Sequence, residues 1–132
     1  MYKNDKEWPE KRCEELARRI YEFLLKNEMW IDVSIYYNGK VMTSCGEING
    51  EWKFAYNGDP FLIDNKDPRD YFEYVNPDHI LSMSFEGIFY ECMNGYAGDY
   101  GWCVVQEFED LLAEYGLYYE LGNAWNLTLY KE

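Results

Sequence analysis

The stretch IDVSIYYNGKVMTSCGEINGEWKFAYNG, residues 31–58, decides the fold. Its opening segment alternates apolar and polar side chains, which is typical of a β-strand. Asn38-Gly39 and Asn49-Gly50 predict two tight hairpin turns, because type I′ turns need positive φ at both central positions. The second and third strands of an antiparallel meander are therefore expected at residues 40–48 and 51–56.

The segment before the meander predicts a helix over residues 9–27. Pro9 suits the first turn, where its missing N–H group is not needed. Acidic and basic side chains balance along this segment, which indicates a solvent-exposed outer face. The apolar residues that recur at helical spacing are Cys13, Leu16, Ala17, Ile20 and Leu24.

The segment after the meander begins with its least regular part. Residues 59–78 hold three prolines and six acids, so they are expected to form a long loop. HILSMSF, residues 79–85, predicts a fourth strand. Residues 87–94 predict a short helix closed by Asn94-Gly95.

The last third predicts one more helix and a hairpin. Residues 104–115 carry an apolar stripe at helical spacing, and Gly116 ends it. Residues 117–130 then alternate as two strands around Gly122-Asn123. The predicted fold is α+β in a single domain over residues 1–132: an N-terminal helix, an antiparallel meander, two further helices packed on the sheet and a C-terminal β-hairpin.

Charge is distributed very unevenly along the chain. Residues 1–28 hold seven acids and seven Lys or Arg, whereas residues 29–132 hold 18 acids and five cations, which accounts for the whole net charge of −13. Between Arg69 and Lys131 lie 61 residues with eleven acids and no Lys or Arg. Such a field repels nucleic acid and anionic membranes and attracts basic surfaces. The alternative is that the charge serves solubility alone.

Aromatic content points towards binding. The chain has 14 Tyr, 5 Trp and 7 Phe. Tyr and Trp combine an apolar body with a polar tip and are enriched at interaction hot spots. Direct nucleic-acid binding is excluded, because the cations that would contact phosphates are missing.

The four cysteines form no C-x-x-C pair and no spacing typical of a zinc site. There is no N-terminal signal-like stretch and no apolar run long enough to span a bilayer. These features predict a cytoplasmic protein with reduced thiols, with no cofactor and no metal. Asp64, Asp67 and Asp70 lie three apart but lack the order of a calcium-binding loop, so they predict an acidic turn.

No motif names a catalytic activity, and we expect no enzyme. A small enzyme that uses His79 with Cys92 or Cys103 is the third alternative, because a Cys–His pair can form a nucleophile. The sequence contains neither a nucleophile elbow nor a glycine-rich phosphate loop.

One helical pattern suggests how the acidic charge could be used. Glu107, Asp110 and Glu114 lie at i, i+3 and i+7 and share one helix face. Their rises are about 4.5 and 6 Å along the helix, against about 3.4 Å per phosphate along a DNA strand. No cation within the helix relieves their mutual repulsion. The row therefore suggests a mimic of nucleic-acid phosphates.

The leading hypothesis is an acidic inhibitor that docks on a basic nucleic-acid-binding enzyme, as a monomer or homodimer. In size, charge and aromatic content the chain resembles the small acidic inhibitors that phages and mobile elements use against CRISPR or restriction enzymes. The alternative is a soluble accessory or immunity-type protein that recognises its partner by shape. The predicted contact residues are Asp70, Tyr71, Glu73, Tyr74, Asp99, Tyr100, Trp102, Glu107, Asp110 and Glu114.

Overall fold

The computed structural model describes residues 8–70 and 79–132, and three helices pack there on one face of an antiparallel sheet. The helices are α1 (Glu10–Lys26), α2 (Ile88–Met93) and α3 (Gly98–Ala113). The strands are β1 (Val33–Tyr37), β2 (Lys40–Thr43), β3 (Cys45–Ile48), β4 (Glu51–Phe54), β5 (Phe61–Asp64), β6 (Ser82–Phe85), β7 (Leu117–Asn123) and β8 (Asn126–Lys131). Six of them form a sheet in the order β5-β2-β1-β6-β8-β7, and β3 pairs with β4 alone. The predicted α+β fold is confirmed.

Helix α1 forms where its apolar periodicity predicts it, within one residue at each end. The Pro9 carbonyl accepts hydrogen bonds from the backbone of Arg12 and Cys13 at 2.9 and 3.1 Å. Leu16, Ile20 and Leu24 are fully buried, and each contributes about 1.5–3 kcal/mol to the stability of the fold. Helix α1 thus anchors the helical layer to the sheet.

The two faces of the sheet differ in character. Ile35 pairs with Met83, and Met83 with Leu127, so these buried side chains share the face that the helices cover. The opposite face is mixed: Ser34 pairs with Thr43 on one side and with Ser84 on the other, and Tyr36 and Val41 form a small apolar cluster next to them. None of the described helices is long and apolar enough to cross a membrane.

Both predicted Asn-Gly turns are confirmed. Asn38 and Gly39 have φ of 51° and 74°, and Asn49 and Gly50 have φ of 53° and 82°. These are the left-handed values that type I′ turns require. The first turn joins β1 to β2 and the second joins β3 to β4.

The prediction of a continuous three-stranded meander is wrong at Ser44. Residues 40–48 divide there into β2, which stays in the main sheet, and β3, which leaves it to pair with β4. Ser44 is fully buried, and its backbone N–H donates to the Val33 carbonyl at 3.1 Å. Its own carbonyl accepts from the Ala55 N–H at 2.8 Å. One residue therefore ties the β3–β4 ribbon, Cys45–Ile48 with Glu51–Phe54, to the sheet.

Three further boundaries differ from the sequence prediction. Phe61–Asp64, placed in the long loop, is the edge strand β5 and pairs with β2. Helix α3 begins at Gly98 rather than Val104, because the glycine-rich link supplies its first turns. The C-terminal hairpin turns after Asn123, and Gly122 lies at a β-bulge.

We predict that Ser44→Ala lowers the free energy of unfolding by about 1–3 kcal/mol, because it leaves a buried donor without its acceptor. The Ser44 hydroxyl accepts a 3.1 Å hydrogen bond from the buried Val33 N–H. Urea denaturation of the variant measures the change. Ser84→Ala is the matched control, since Ser84 is a half-buried serine on the sheet face that the helices leave uncovered. Equal stability of the two variants would contradict the role assigned to Ser44.

Candidate functional site

The acidic row Glu107, Asp110 and Glu114 faces helix α1 across a groove. Arg19 Nη1 pairs with Glu114 Oε1 at 2.9 Å, and Lys26 pairs with Glu107. Asp110 accepts a hydrogen bond from Gln106 at 3.2 Å. The repulsion within the row is therefore relieved by α1, not left for a partner to relieve. Both ion pairs are exposed, so each contributes about 0–1 kcal/mol.

The other predicted contact residues lie on separate elements. Asp99, Tyr100 and Trp102 are exposed in the first turns of α3, where the Tyr100 hydroxyl donates to the Asn27 carbonyl at 3.5 Å. Asp70 is exposed at the end of a short 3₁₀ turn. The remaining three, Tyr71, Glu73 and Tyr74, lie outside the described residues.

A different surface stands out on the β3–β4 ribbon. Trp52, Phe54 and Tyr56 follow one another at alternate positions and form an aromatic ladder. The ring centroids of Trp52 and Phe54 lie 6.3 Å apart, and those of Phe54 and Tyr56 lie 5.4 Å apart. Trp52 and Phe54 are 61% and 59% exposed. A row of rings open to solvent is unusual, which makes the ladder a candidate interaction surface.

The ladder borders a concave cavity of about 600 Å³, which we call the cradle. The cradle lies between the ribbon and the sheet face that the helices leave uncovered. Ser34, Thr43 and Ser84 of that face line it, and Trp52 and Phe54 line it from the ribbon. The volume falls in the range of about 300–1,000 Å³ that is typical of ligand pockets.

Three carboxylates of the cradle give it a negative charge. Asp32, Glu47 and Glu86 line it, and none of them forms an ion pair with a described residue. The lining also contains Lys66, so the charges of the described lining residues sum to −2. A cationic group in the cradle would therefore find both carboxylates and open aromatic rings.

The carboxylate of Asp32 joins the ladder to the sheet. Asp32 Oδ1 accepts a 2.7 Å hydrogen bond from the Tyr56 hydroxyl, which raises the pKa of Tyr56 to about 12. Burial raises the pKa of the Cys45 thiol, and the charges of Asp32 and Glu86 raise it further. Both shifts have the direction expected where the local potential is negative.

No hydrogen bond joins the residues of the enzyme alternative within the part of the chain that the structure describes. The ring of His79 hydrogen-bonds to Ser82 Oγ at 3.1 Å, and burial lowers the pKa of the imidazole. The Cys92 thiol packs in the core, 3.9 Å from the sulphur of Met29. Cys103 is exposed on α3. Within the described residues, His79 forms no hydrogen bond with a cysteine.

The acidic turn at residues 64–70 is held by a cation. The Arg69 side chain donates to both oxygens of Asp67 at 3.0 Å, and these bonds lower the pKa of Asp67 to about 2. Across residues 8–70 and 79–132, no group of three or more His, Cys, Asp or Glu side chains is placed to hold a metal ion.

The sequence analysis missed the aromatic ladder, although its signal is present. The alternation of Trp52, Phe54 and Tyr56 between Asn-Gly turns predicts a strand with one aromatic face, and such a face usually packs on a core. Here the chain leaves the main sheet at Ser44, and β4 pairs only with β3, so the aromatic face stays exposed. Glu47 lies directly opposite Trp52 in the ribbon register.

No protein-family model, no curated protein and no solved structure matches this chain.

We predict that Asp32→Asn lowers the pKa of Tyr56 from about 12 towards its ordinary value of 10. The raised pKa means that native Tyr56 keeps its proton between pH 10 and 12, whereas the unfolded chain loses it. Tyr56 thus contributes stability that is present below pH 10 and declines above it. Titration of ¹³C-labelled tyrosine followed by NMR resolves the phenol, and an unchanged pKa in the variant would refute the contact.

We predict that Cys103 reacts first with a thiol reagent at pH 8, because it alone of the four cysteines is exposed. Burial raises the pKa of Cys13 to about 11, and Cys92 is buried, so both are expected to react only on unfolding. Cys103→Ser should remove the fast phase. Rapid labelling of Cys92 in the folded protein would instead support the enzyme alternative.

Proposed function

We propose that this protein is an acidic binding protein that docks on a basic surface of a nucleic-acid-binding enzyme, of the kind represented by CRISPR and restriction nucleases. The observation that carries the proposal is the exposed aromatic ladder beside three carboxylates that have no cation paired to them among the described residues. The bound enzyme would be inhibited because its own basic surface would be covered.

A binding role is supported by the exposure of the ladder. Aromatic rings that stay in water lose the free energy of burial, about 25 cal/mol for each Å² left exposed. A partner that covers Trp52 and Phe54 recovers that free energy. Tryptophan and tyrosine are also the residues that most often dominate binding energy at interfaces.

A basic partner is supported by where the cations lie. Three of the five cations of α1 have contacts close to the helices: Arg19 and Lys26 pair with α3, and the Arg12 guanidinium lies 4.3 Å from the ring centroid of Trp8. The surplus of acids that gives the net charge of −13 lies in residues 29–132. Complementary charge speeds encounter with basic partners and disfavours acidic ones.

The docking surface proposed here is the cradle with its ladder, in place of the acidic row. A phosphate mimic would need the carboxylates of Glu107 and Glu114 to be available, and both are already paired with α1. The carboxylates of the cradle form no ion pair with any residue that the structure describes. The proposed partner is still a basic nucleic-acid-binding enzyme, but its proposed contact surface is the cradle and not the acidic row.

The proposed compartment is the cytoplasm. All four cysteines are free, and free thiols persist in reducing compartments. The nucleases proposed as partners act on DNA or RNA in the same compartment.

We predict that immobilised protein captures a basic nucleic-acid-binding nuclease and that Trp52→Ala abolishes the capture. Trp102→Ala is the matched control, because Trp102 is 72% exposed but lies on α3, away from the cradle. Lysates that carry CRISPR or restriction nucleases are the source, with washes from 50 to 500 mM salt. An electrostatic complex should be released steeply as salt rises.

Two outcomes would contradict this proposal. Capture that survives high salt, or a captured partner that is not basic, would favour the accessory protein that recognises its partner by shape. Equal loss of capture in the Trp52 and Trp102 variants, or in neither, would remove the cradle from the interface. Added duplex DNA or guide RNA should compete with the protein for the captured nuclease.

A further inference from the structure

The cradle combines two kinds of recognition within one cavity. Trp52 and Phe54 meet with an interplanar angle of 70°, so neither ring is stacked on the other. Ring faces that are open in this way attract a cation through their negative quadrupole. Glu47 lies opposite Trp52 in the antiparallel register, and the Cβ atoms of such a pair are about 4.5–5.5 Å apart. A cation on the ring of Trp52 would therefore lie beside a carboxylate.

The lining of the cradle also offers hydrogen-bond acceptors. The hydroxyls of Ser34 and Thr43 lie 2.8 Å apart on the sheet face. Thr43 Oγ1 donates to the Cys45 carbonyl at 2.8 Å and accepts from the Cys45 N–H at 3.3 Å, so it is the half-buried Ser34 hydroxyl that retains lone pairs for a further donor. The carboxylates of Asp32 and Glu86 lie at the same end of the cavity, because the Glu86 N–H donates to the Asp32 carbonyl at 3.0 Å. The lining therefore favours a ligand that carries several N–H donors and a positive charge.

We propose that the cradle binds one arginine side chain of the partner, with the guanidinium plane on the ring of Trp52 and its N–H groups directed at Glu47 and Glu86. This inference rests on the proposed function, since it names the group of the basic partner that the cradle recognises. The guanidinium is planar, is weakly hydrated, stacks on aromatic rings and donates two parallel hydrogen bonds to a carboxylate. A lysine ammonium is compact and strongly hydrated, so it gains less than a guanidinium from contact with an aromatic ring.

Lys66 does not prevent this assignment. It lines the cradle together with three carboxylates, so the described lining residues keep a net negative charge. The cavity of about 600 Å³ leaves space for a long side chain to enter from the open side. If the ladder binds one arginine of the partner, its exposure in the isolated chain is explained.

The test uses three blocked amino acids as probes against the full ¹⁵N-labelled chain: N-acetyl-arginine amide, N-acetyl-lysine amide and N-acetyl-citrulline amide. Citrulline keeps the shape of arginine without its charge. Titration followed by NMR should shift the indole N–H of Trp52 and the amide of Glu47 with arginine, less with lysine and not with citrulline. The indole N–H of Trp102 should stay unmoved.

Variants separate the cradle from the overall charge. Trp52→Ala should weaken arginine binding about two- to fivefold, the size of a cation–π contact at an exposed ring. Glu47→Gln should also weaken it, whereas Glu120→Gln should not, although both variants change the net charge equally. Glu120 is exposed on β7, outside the cradle lining. Circular dichroism checks that each variant remains folded.

Each outcome bears on one of the two proposals. Arginine binding no tighter than lysine or citrulline binding, or equal weakening by Glu47→Gln and Glu120→Gln, would overturn the arginine assignment. In that case a nuclease captured in a manner sensitive to salt and to Trp52 would still support the proposed function. Selective arginine binding with no basic partner captured would support the cradle as an arginine site and would count against the proposed function.

Discussion

The hydrogen bonds of Ser44 are the constraint on which the cradle depends. This buried residue bonds through its N–H to β1 and through its carbonyl to Ala55, just after β4. A strand that continued straight past Ser44 would have added β3 and β4 to the main sheet. Instead the chain changes direction at one residue, and the β3–β4 ribbon rises over the uncovered sheet face. The cavity, the ladder and the carboxylates around it all follow from that change of direction.

Charge in this protein is organised by layer. The helical layer neutralises part of its own charge, because α1 supplies cations that α3 lacks and the two helices meet across a groove. On the ribbon side, the carboxylates of Asp32, Glu47 and Glu86 form no ion pair with a described residue. Acidic proteins are often described by their total charge. In this chain it is more informative to ask which acids form ion pairs. Glu107 and Glu114 are paired within the helical layer, whereas the acids that line the cradle have no ion pair among the described residues.

Local patterns in the sequence predicted the local structure well. The limits of α1 follow from its helical periodicity and Pro9, and the Asn-Gly turns follow from their need for positive φ. The fold class was therefore accessible from the sequence.

The features that decide the site depend on long-range pairing instead. In the sequence, Ser44 is one more residue of a predicted strand, because no local pattern indicates which backbone N–H will donate to its carbonyl. The pairing of Arg19 with Glu114 joins residues 95 positions apart, so the charge pattern of α3 alone predicted an unrelieved row. The edge strand β5 was not predicted, because Pro60 directly precedes it and it is only four residues long.

The ribbon lies outside the main hydrophobic core, since none of its residues belongs to the cluster that the helices and the sheet share. Substitutions in the ladder should therefore leave the folding of the rest of the chain largely unaffected. A lineage could change Trp52, Phe54 or Glu47 one at a time, and each intermediate would remain a folded protein. The architecture thus separates the part of the sequence that must be conserved for folding from the part that can follow a partner whose own surface is changing. For a protein that opposes an evolving enzyme, such freedom to vary would be an inherited advantage of the fold.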